Sequence, residues 1–273
     1  MPTPDELKKE INSMIQLQDI TQAFEQSAAA FIFKTRKKIL EARPFIEQSW
    51  KCYNIVRSLS MPETAAMGKK IVIAITPNQG MFGSLIWEVV EKVNQLQLEG
   101  QYDLAVVGKK GKQHFSQGST HTKFNFTLKE DFTYEDLFGI VETLLKYSSI
   151  VVIYPQYLSA FNQQVQAVEL NADLTNKNPG VISDLKRYTL DPNVEALNEY
   201  FSKSVLAIIL YRYFVEAMLA YKAAQMIAMK RAYDNTTKRL SDVRFDYYRT
   251  YRSLIDNQIR ELSAARAVWE ELV

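Results

Sequence analysis

The sequence predicts a mixed α/β protein: a long antiparallel two-helix coiled coil from the N- and C-terminal segments, with a small parallel α/β domain between them. Three observations predict it. All nine glycines lie between Gly68 and Gly180, so neither end carries the residue that most often punctuates regular structure. Both ends repeat apolar residues at helical steps of three and four. The middle instead alternates short apolar runs with amphipathic stretches of helical length. The organisation read from this is an N-terminal coiled-coil helix over 1–60, a globular domain over 68–192 and a C-terminal coiled-coil helix over 193–273.

In the first arm, Leu7, Ile11, Met14, Leu17, Ile20, Phe24, Ala28, Phe31 and Ile39 mark one stripe of an amphipathic helix. Asp5 suits its positive N-terminal end. Pro44 predicts a bend or a break near Ala42 and Arg43.

The middle opens with "KIVIAIT", read as a strand, and "SLIWEVVEKVNQLQ", read as a helix. "YDLAVVG" is a second strand, "TYEDLFGIVETLLKY" a helix opened by Thr133, and "SSIVVIYPQ" a third strand. Strands separated by helices of this length form a parallel, Rossmann-like sheet. "FNQQVQAVEL" and "DLKRYTL" are candidates for edge strands, the first also for a short helix.

In the last arm the rhythm runs from Leu197 through Val205, Val215, Met226, Met229, Thr236, Leu240, Val243, Tyr247, Tyr251 and Leu254 to Trp269. Steps alternating three and four over that distance mean a coiled-coil seam. At 1.5 Å per residue, some 75 residues span roughly 110 Å, well beyond a compact domain. The first arm is its nearest partner but is shorter, so one end of the last helix needs another protein around it.

The turn "TPNQGMFG" between the first strand and its helix raises the question of a phosphate cradle. Gly80 and Gly83 give only GxxG. There is no third glycine, no following Lys-Ser or Lys-Thr, and Pro77 removes a donor. A chain-reversing turn is the better reading. No catalytic, cofactor or metal site emerges elsewhere. His114 and His121 read as an exposed loop pair without further ligands at metal spacing, and Cys52 reads as a small hydrophobe on the first helix. Apolar residues at 47% and a net charge of +2 in 273 residues describe an ordinary soluble chain and give no electrostatic case for nucleic acid. The N-terminus lacks a secretory pattern, and the uninterrupted apolar runs fall short of the roughly 20 residues of a membrane helix, so membrane association is expected only through partners.

Four segments, in order, carry a resemblance. "AAQMIAMKRAYDNTTKRL" (223–240) resembles ARMxAMxxATxNA of the gamma subunit of F-type ATP synthases, with Ala224, Met226, Ala228, Met229, Ala232, Asp234 and Asn235 matching. "DITQAFEQSAAA" is similar to ITKAMxMVAA, "ITPNQGMFGSL" to SDRGLCGxxN, and "LDPNVEALNEYF" to EPxxxxLLxxL. The resemblance covers nearly the whole chain and implies the family's plan of a coiled coil flanking a globular domain whose glycine turn does not bind nucleotide.

It also implies a non-catalytic rotor in the central stalk. The partners implied are alpha and beta subunits of the catalytic hexamer, an epsilon-like subunit, and a c-ring or equivalent base. The place implied is the cytoplasmic face of a membrane, or its organellar matrix equivalent. Partner contacts carried over by position are Phe24, Gln225, Met226, Met229, Tyr251, Arg252, Asp256 and Gln258. Several depart from the family. Phe24 stands where Met is usual and Gln225 where Arg is usual. "YRSLIDNQ" replaces RQxxITxE, and the small-residue tip becomes "ELSAARAVWEELV". These departures leave open a gamma-like shaft in a specialised ATPase not engaged in ion-driven synthesis.

Overall fold

The computed structural model describes residues 2–59, 69–117, 121–170 and 194–271. Its elements are α1 (Pro4–Leu59), β1 (Lys70–Ile75), α2 (Leu85–Glu99), β2 (Tyr102–Val107), α3 (Lys109–Gln117) and β3 (Phe124–Phe126). A 3-10 turn at Glu135–Leu137 leads into α4 (Phe138–Leu144), followed by β4 (Ser149–Tyr157), β5 (Gln163–Glu169) and α5 (Val194–Glu271). The chain divides into two compact units, Met1–Ser27 with Met226–Val273, and Ala28–Gln225. The boundaries expected between 60 and 68, and at 192–193, lie outside the described residues, as does "DLKRYTL".

The larger unit is built on a five-stranded sheet of order β3-β2-β1-β4-β5. β3, β2, β1 and β4 run parallel, and β5 adds an antiparallel edge, Val151 facing Glu169 and Tyr157 facing Gln163. Of the two readings open for "FNQQVQAVEL", the strand is found. The apolar runs of β1, β2 and β4 are continuous because both sheet faces are covered. Alternation sorts them. Ile71, Ile73, Ile75, Ala105, Val107, Ile150 and Val152 pack with α4 and with Val205 to Tyr221 of α5. Val72, Ala74, Leu104, Val106, Val151 and Ile153 pack on the other face, with Val89 and Val93 of α2 and Phe115 of α3.

Two elements were not read from the sequence. α3 forms in the segment taken for a polar loop, and β3 is only three residues long. His114 therefore lies on a helix, its ring edge-on to Trp87 at 4.4 Å, while His121 is exposed in irregular chain. Thr133 precedes a 3-10 turn before the helix proper, donating from N–H and hydroxyl to Asp136.

Reciprocal bonds between Thr3 and Glu6 cap α1. The helix does not break at Pro44, which sits inside it and is exposed. Cys52 lies on α1, in a stretch whose side chains are outside the description.

In the smaller unit, α1 and α5 run antiparallel. Glu10 receives a hydrogen bond from Arg239 at 3.1 Å, and the Gln18 amide donates to Thr237 at 2.7 Å, so numbers rise on one helix as they fall on the other. Leu7 and Thr21 are buried, with Ile11, Met14 and Gln18 half-buried between them. They face Met229, Thr236, Leu240 and Val243, all buried. This corrects the first-arm stripe: Leu17 and Ile20 are 43% and 52% exposed, and the seam passes through Gln18 and Thr21. Threonine serves there because its hydroxyl bonds its own helix, Thr21 to Leu17 O and Thr236 to Ala232 O, leaving the methyl for the seam.

Glu216 on α5 is held above the ordinary carboxylate range by burial, which outweighs Arg212 and a hydrogen bond with Gln156. Its ionised form is penalised only in the folded chain, so its stabilising share is complete below the unfolded pKa and lost as pH rises through the folded one. Glu216→Gln should therefore raise the melting temperature at pH 7, with the gain shrinking below pH 4. A gain that grew with acid would contradict the assignment. Leu240→Ala should cost about 2 to 5 kcal/mol in denaturant unfolding, whereas Leu17→Ala and Ile20→Ala should stay within about 0.5 kcal/mol. Disulfide crosslinking of Gln18→Cys with Thr237→Cys should succeed, as the antiparallel register requires.

Candidate functional site

In an open α/β sheet the natural ligand crevice lies beyond the carboxyl ends of the strands, where the connections leave to either side. Here that point is the end of β1, between β2 and β4. The chain fills it with its own side chains. The Tyr221 hydroxyl of α5 donates to Ile75 O at 3.0 Å, and its ring meets Phe82 at 5.4 Å. The Thr76 hydroxyl donates to Val107 O at 2.6 Å and accepts from Gly111 N at 3.1 Å. Asn78 donates to Leu128 O at 2.6 Å and accepts from Lys109 N at 3.2 Å. The N–H groups that open α3 are thus engaged internally.

What remains is a cavity of about 50 Å³ bounded by Thr76, Asn78, Phe82, Phe214, Tyr221 and Lys222. That is room for water, far below the roughly 300 Å³ at which small-molecule pockets begin. Lys222, buried on α5, pairs with Glu130 at 3.4 Å and lies 5.5 Å from the Phe31 ring centre. Full burial drives the Tyr221 phenol far above its ordinary pKa, so it stays a neutral donor. Gly108, at φ 107°, has no space for a Cβ, which would stand 2.1 Å from Thr76 O. Phe82, between the two glycines of the turn, packs on Tyr221, and Thr76 and Asn78 tie the start of the turn to β2 and α3. Among the described residues no group of three or more metal-ligating side chains assembles.

Sequence reasoning missed this filling. The sequence reading gave neither Tyr221 nor Lys222 a role. The available signal was Lys222 itself, a charge inside an apolar stripe.

The positions carried over by resemblance fall into two groups. Phe24 and Met226 are half-buried, Gln225 is 2% exposed and Met229 is 8% exposed, so these belong largely to the chain's own packing. Tyr251, Arg252, Asp256 and Gln258 are all exposed on α5. They stand in a stretch where the helix has lost its partner. Buried seam positions end at Val243, with Tyr247 and Thr250 half-buried, while Phe245, Tyr248, Ile259, Leu262 and Trp269 are more than half exposed.

An 18-residue window within Lys203–Arg266 is apolar enough to cross a bilayer by composition, a feature that uninterrupted apolar runs do not reveal. Two-thirds of it is buried inside the protein, as expected of a core helix.

Comparison with known proteins supplies the wider setting. The family model described as ATP synthase matches residues 3–268. The ATP synthase gamma chain of Halothermothrix orenii is 26% identical over 281 residues, covering 96% of this chain and 97% of the relative. That of Roseiflexus castenholzii is 22% identical over 293 residues and covers all of both. A chain from the Euglena gracilis mitochondrial ATP synthase assembly of OSCP, F1 and c-ring superposes with a TM-score of 0.71 at 14% identity, over 97% of this chain and 94% of that one. One from the central stalk and c-ring of the Tetrahymena thermophila mitochondrial enzyme gives 0.60 at 20% identity, over 78% and 99%.

This crevice should not take nucleotide. Titration of the purified chain with ATP should show no saturable binding up to the millimolar range. Micromolar binding abolished by Asn78→Ala would contradict a filled crevice.

Proposed function

Because the chain belongs to the ATP synthase family, matched across residues 3–268, we propose that it turns as a rotor within a ring of alpha and beta subunits. It is a subunit of the ATP synthase complex, and its place there is the central stalk, as the gamma subunit. The observation that carries the rotor reading is the bare end of α5. Tyr251, Leu254, Ile259, Leu262 and Trp269 are between 40% and 74% exposed on a helix that no longer has α1 beside it. Apolar surface displayed along a single helix needs a sleeve.

In this reading the ring's inner wall takes those apolar residues, while Arg252, Arg260 and Arg266 approach acidic loops. An asymmetric shaft presents a different face to each of three catalytic sites, and it changes their nucleotide affinity only through the difference in contact free energy. The chain does no chemistry itself: it couples sites on other subunits. Tyr251, Arg252, Asp256 and Gln258 are the outward contacts. The globular middle, 68–192, serves as the base toward an epsilon-like subunit and a c-ring or equivalent, on the cytoplasmic or matrix face of the membrane. The bulky tip, with Trp269 74% exposed where the family's is small, favours a second reading in which the shaft serves a specialised ATPase without ion-driven synthesis. Copurification of c-ring subunits separates the two.

Deletion is the direct test. Removing 267–273 takes the end of the shaft and none of the seam, so the complex should assemble and hydrolyse ATP with reduced torque. Removing everything from Tyr247 onward strips the exposed apolar stretch and should uncouple hydrolysis from rotation or prevent assembly. If the longer deletion left torque and coupling intact, the rotor reading would be wrong.

A further inference from the structure

Between β3 and the 3-10 turn, residues 127–132 border the carboxyl end of β1 without regular structure. Among the described residues their main chain makes one hydrogen bond to the rest of the unit, from the Asn78 amide to Leu128 O at 2.6 Å. The other fastenings are side chains. Phe132 is buried, its ring centre 5.4 Å from that of Tyr211 and 5.9 Å from that of Phe214. Glu130 reaches Lys222 at 3.4 Å. The segment is a strap, fastened at three alternate residues and closing one side of the small cavity beside Tyr221.

Lys222 is the member that packing does not explain. Its side chain is 11% exposed, on a face of α5 otherwise filled by Phe214, Met218 and Tyr221. An ammonium withdrawn from water is costly unless it is paired. Its carboxylate partner Glu130 is 44% exposed, and the pair is longer than the roughly 2.8 Å of a tight charge-assisted bond. Lys222 also faces the Phe31 ring of α1 at 5.5 Å. The ammonium is fixed to a helix, whereas the carboxylate stands on irregular chain with water on its outer side. Glu130 can therefore leave with the strap, and Lys222 cannot follow. A segment with so few main-chain bonds opens more readily than the sheet beside it, whose strands are bonded along their length.

We propose that the strap is a latch on α5. In the closed state Glu130 holds Lys222 and Phe132 fills the space against Tyr211 and Phe214. In the open state both side chains leave and water enters the cavity, while sheet and helix stay folded. Closed, the strap links α5 to the turn after β1, because Asn78 belongs to that turn. Open, that link is lost. The Lys222–Glu130 pair sets the balance, since only the closed state gives the buried ammonium its carboxylate. The latch belongs to the larger unit alone and does not require the rotor reading.

Fluorine NMR of the purified full chain tests it, with 4-fluorophenylalanine at Phe132 in one sample and at Phe115 in another. Phe115 is 2% exposed in the core on the opposite face of the sheet, so it reports general unfolding. Phe132 should show a minor second environment whose shift responds to exchange of H2O for D2O. Glu130→Gln and Lys222→Met should each raise its population at least about fivefold and leave the Phe115 signal unchanged. Both substitutions break the same pair, so the double variant should be no more open than the more open single one. Added salt should favour the open state in the unaltered chain and have no such effect in Lys222→Met. A single buried environment at Phe132 in every variant would overturn the latch. So would effects that accumulate in the double variant, a salt response that survives Lys222→Met, or a Phe115 signal that changes together with Phe132.

Discussion

A helix of 78 residues cannot cover its own apolar stripe, and most features of this protein answer that constraint. Between Val205 and Tyr221 the stripe is covered by the sheet, whose inward residues Ile71, Ile73, Val107 and Val152 share one core with it. From Met229 to Val243 the cover is α1. Beyond that the described residues leave Tyr247 and Thr250 half-buried and most later positions exposed. α5 is buried on most sides where it meets the sheet, on one side where it meets α1, and hardly at all at its end.

The same helix explains why a Rossmann-like sheet has no crevice for a nucleotide. Tyr221 reaches the last carbonyl of β1, and Phe214 and Lys222 close the space beside it. A hydroxyl buried there forms a bond that water cannot replace, so loss of the partner is more costly than the bond is strong. The site that would hold a phosphate in a nucleotide-binding relative of this architecture is used instead to fix α5 to the sheet. The aromatic pairs Phe132 with Phe214, and Tyr154 with Tyr213, continue that attachment along the helix.

Much of this was legible in the sequence. Nine clustered glycines set off the sheet, and the apolar runs of β1, β2 and β4 are long and unbroken because they are buried on both faces. α3 was hidden because lysine and glutamine dominate it and only Phe115 and Gly111 face inward. β3 was hidden by its length. The seam of α1 was misplaced at Leu17 and Ile20 because hydrophobicity alone selected them. A 3.5-residue period requires Gln18 and Thr21, whose polar atoms find partners at Thr237 and within the helix. Local satisfaction of a polar group is a property of geometry, which periodicity does not report. The bare tip was legible as a mismatch in arm length, and its exposed residues follow from where α1 begins.

The central claim is that this helix works as a shaft inside a ring. It is tested most directly by watching the chain turn. With the alpha and beta subunits fixed to a surface and a bead attached to the globular middle, ATP should drive stepwise rotation in one direction, stopping when nucleotide is withdrawn. Hydrolysis at full rate with the bead fluctuating but never advancing would contradict the account.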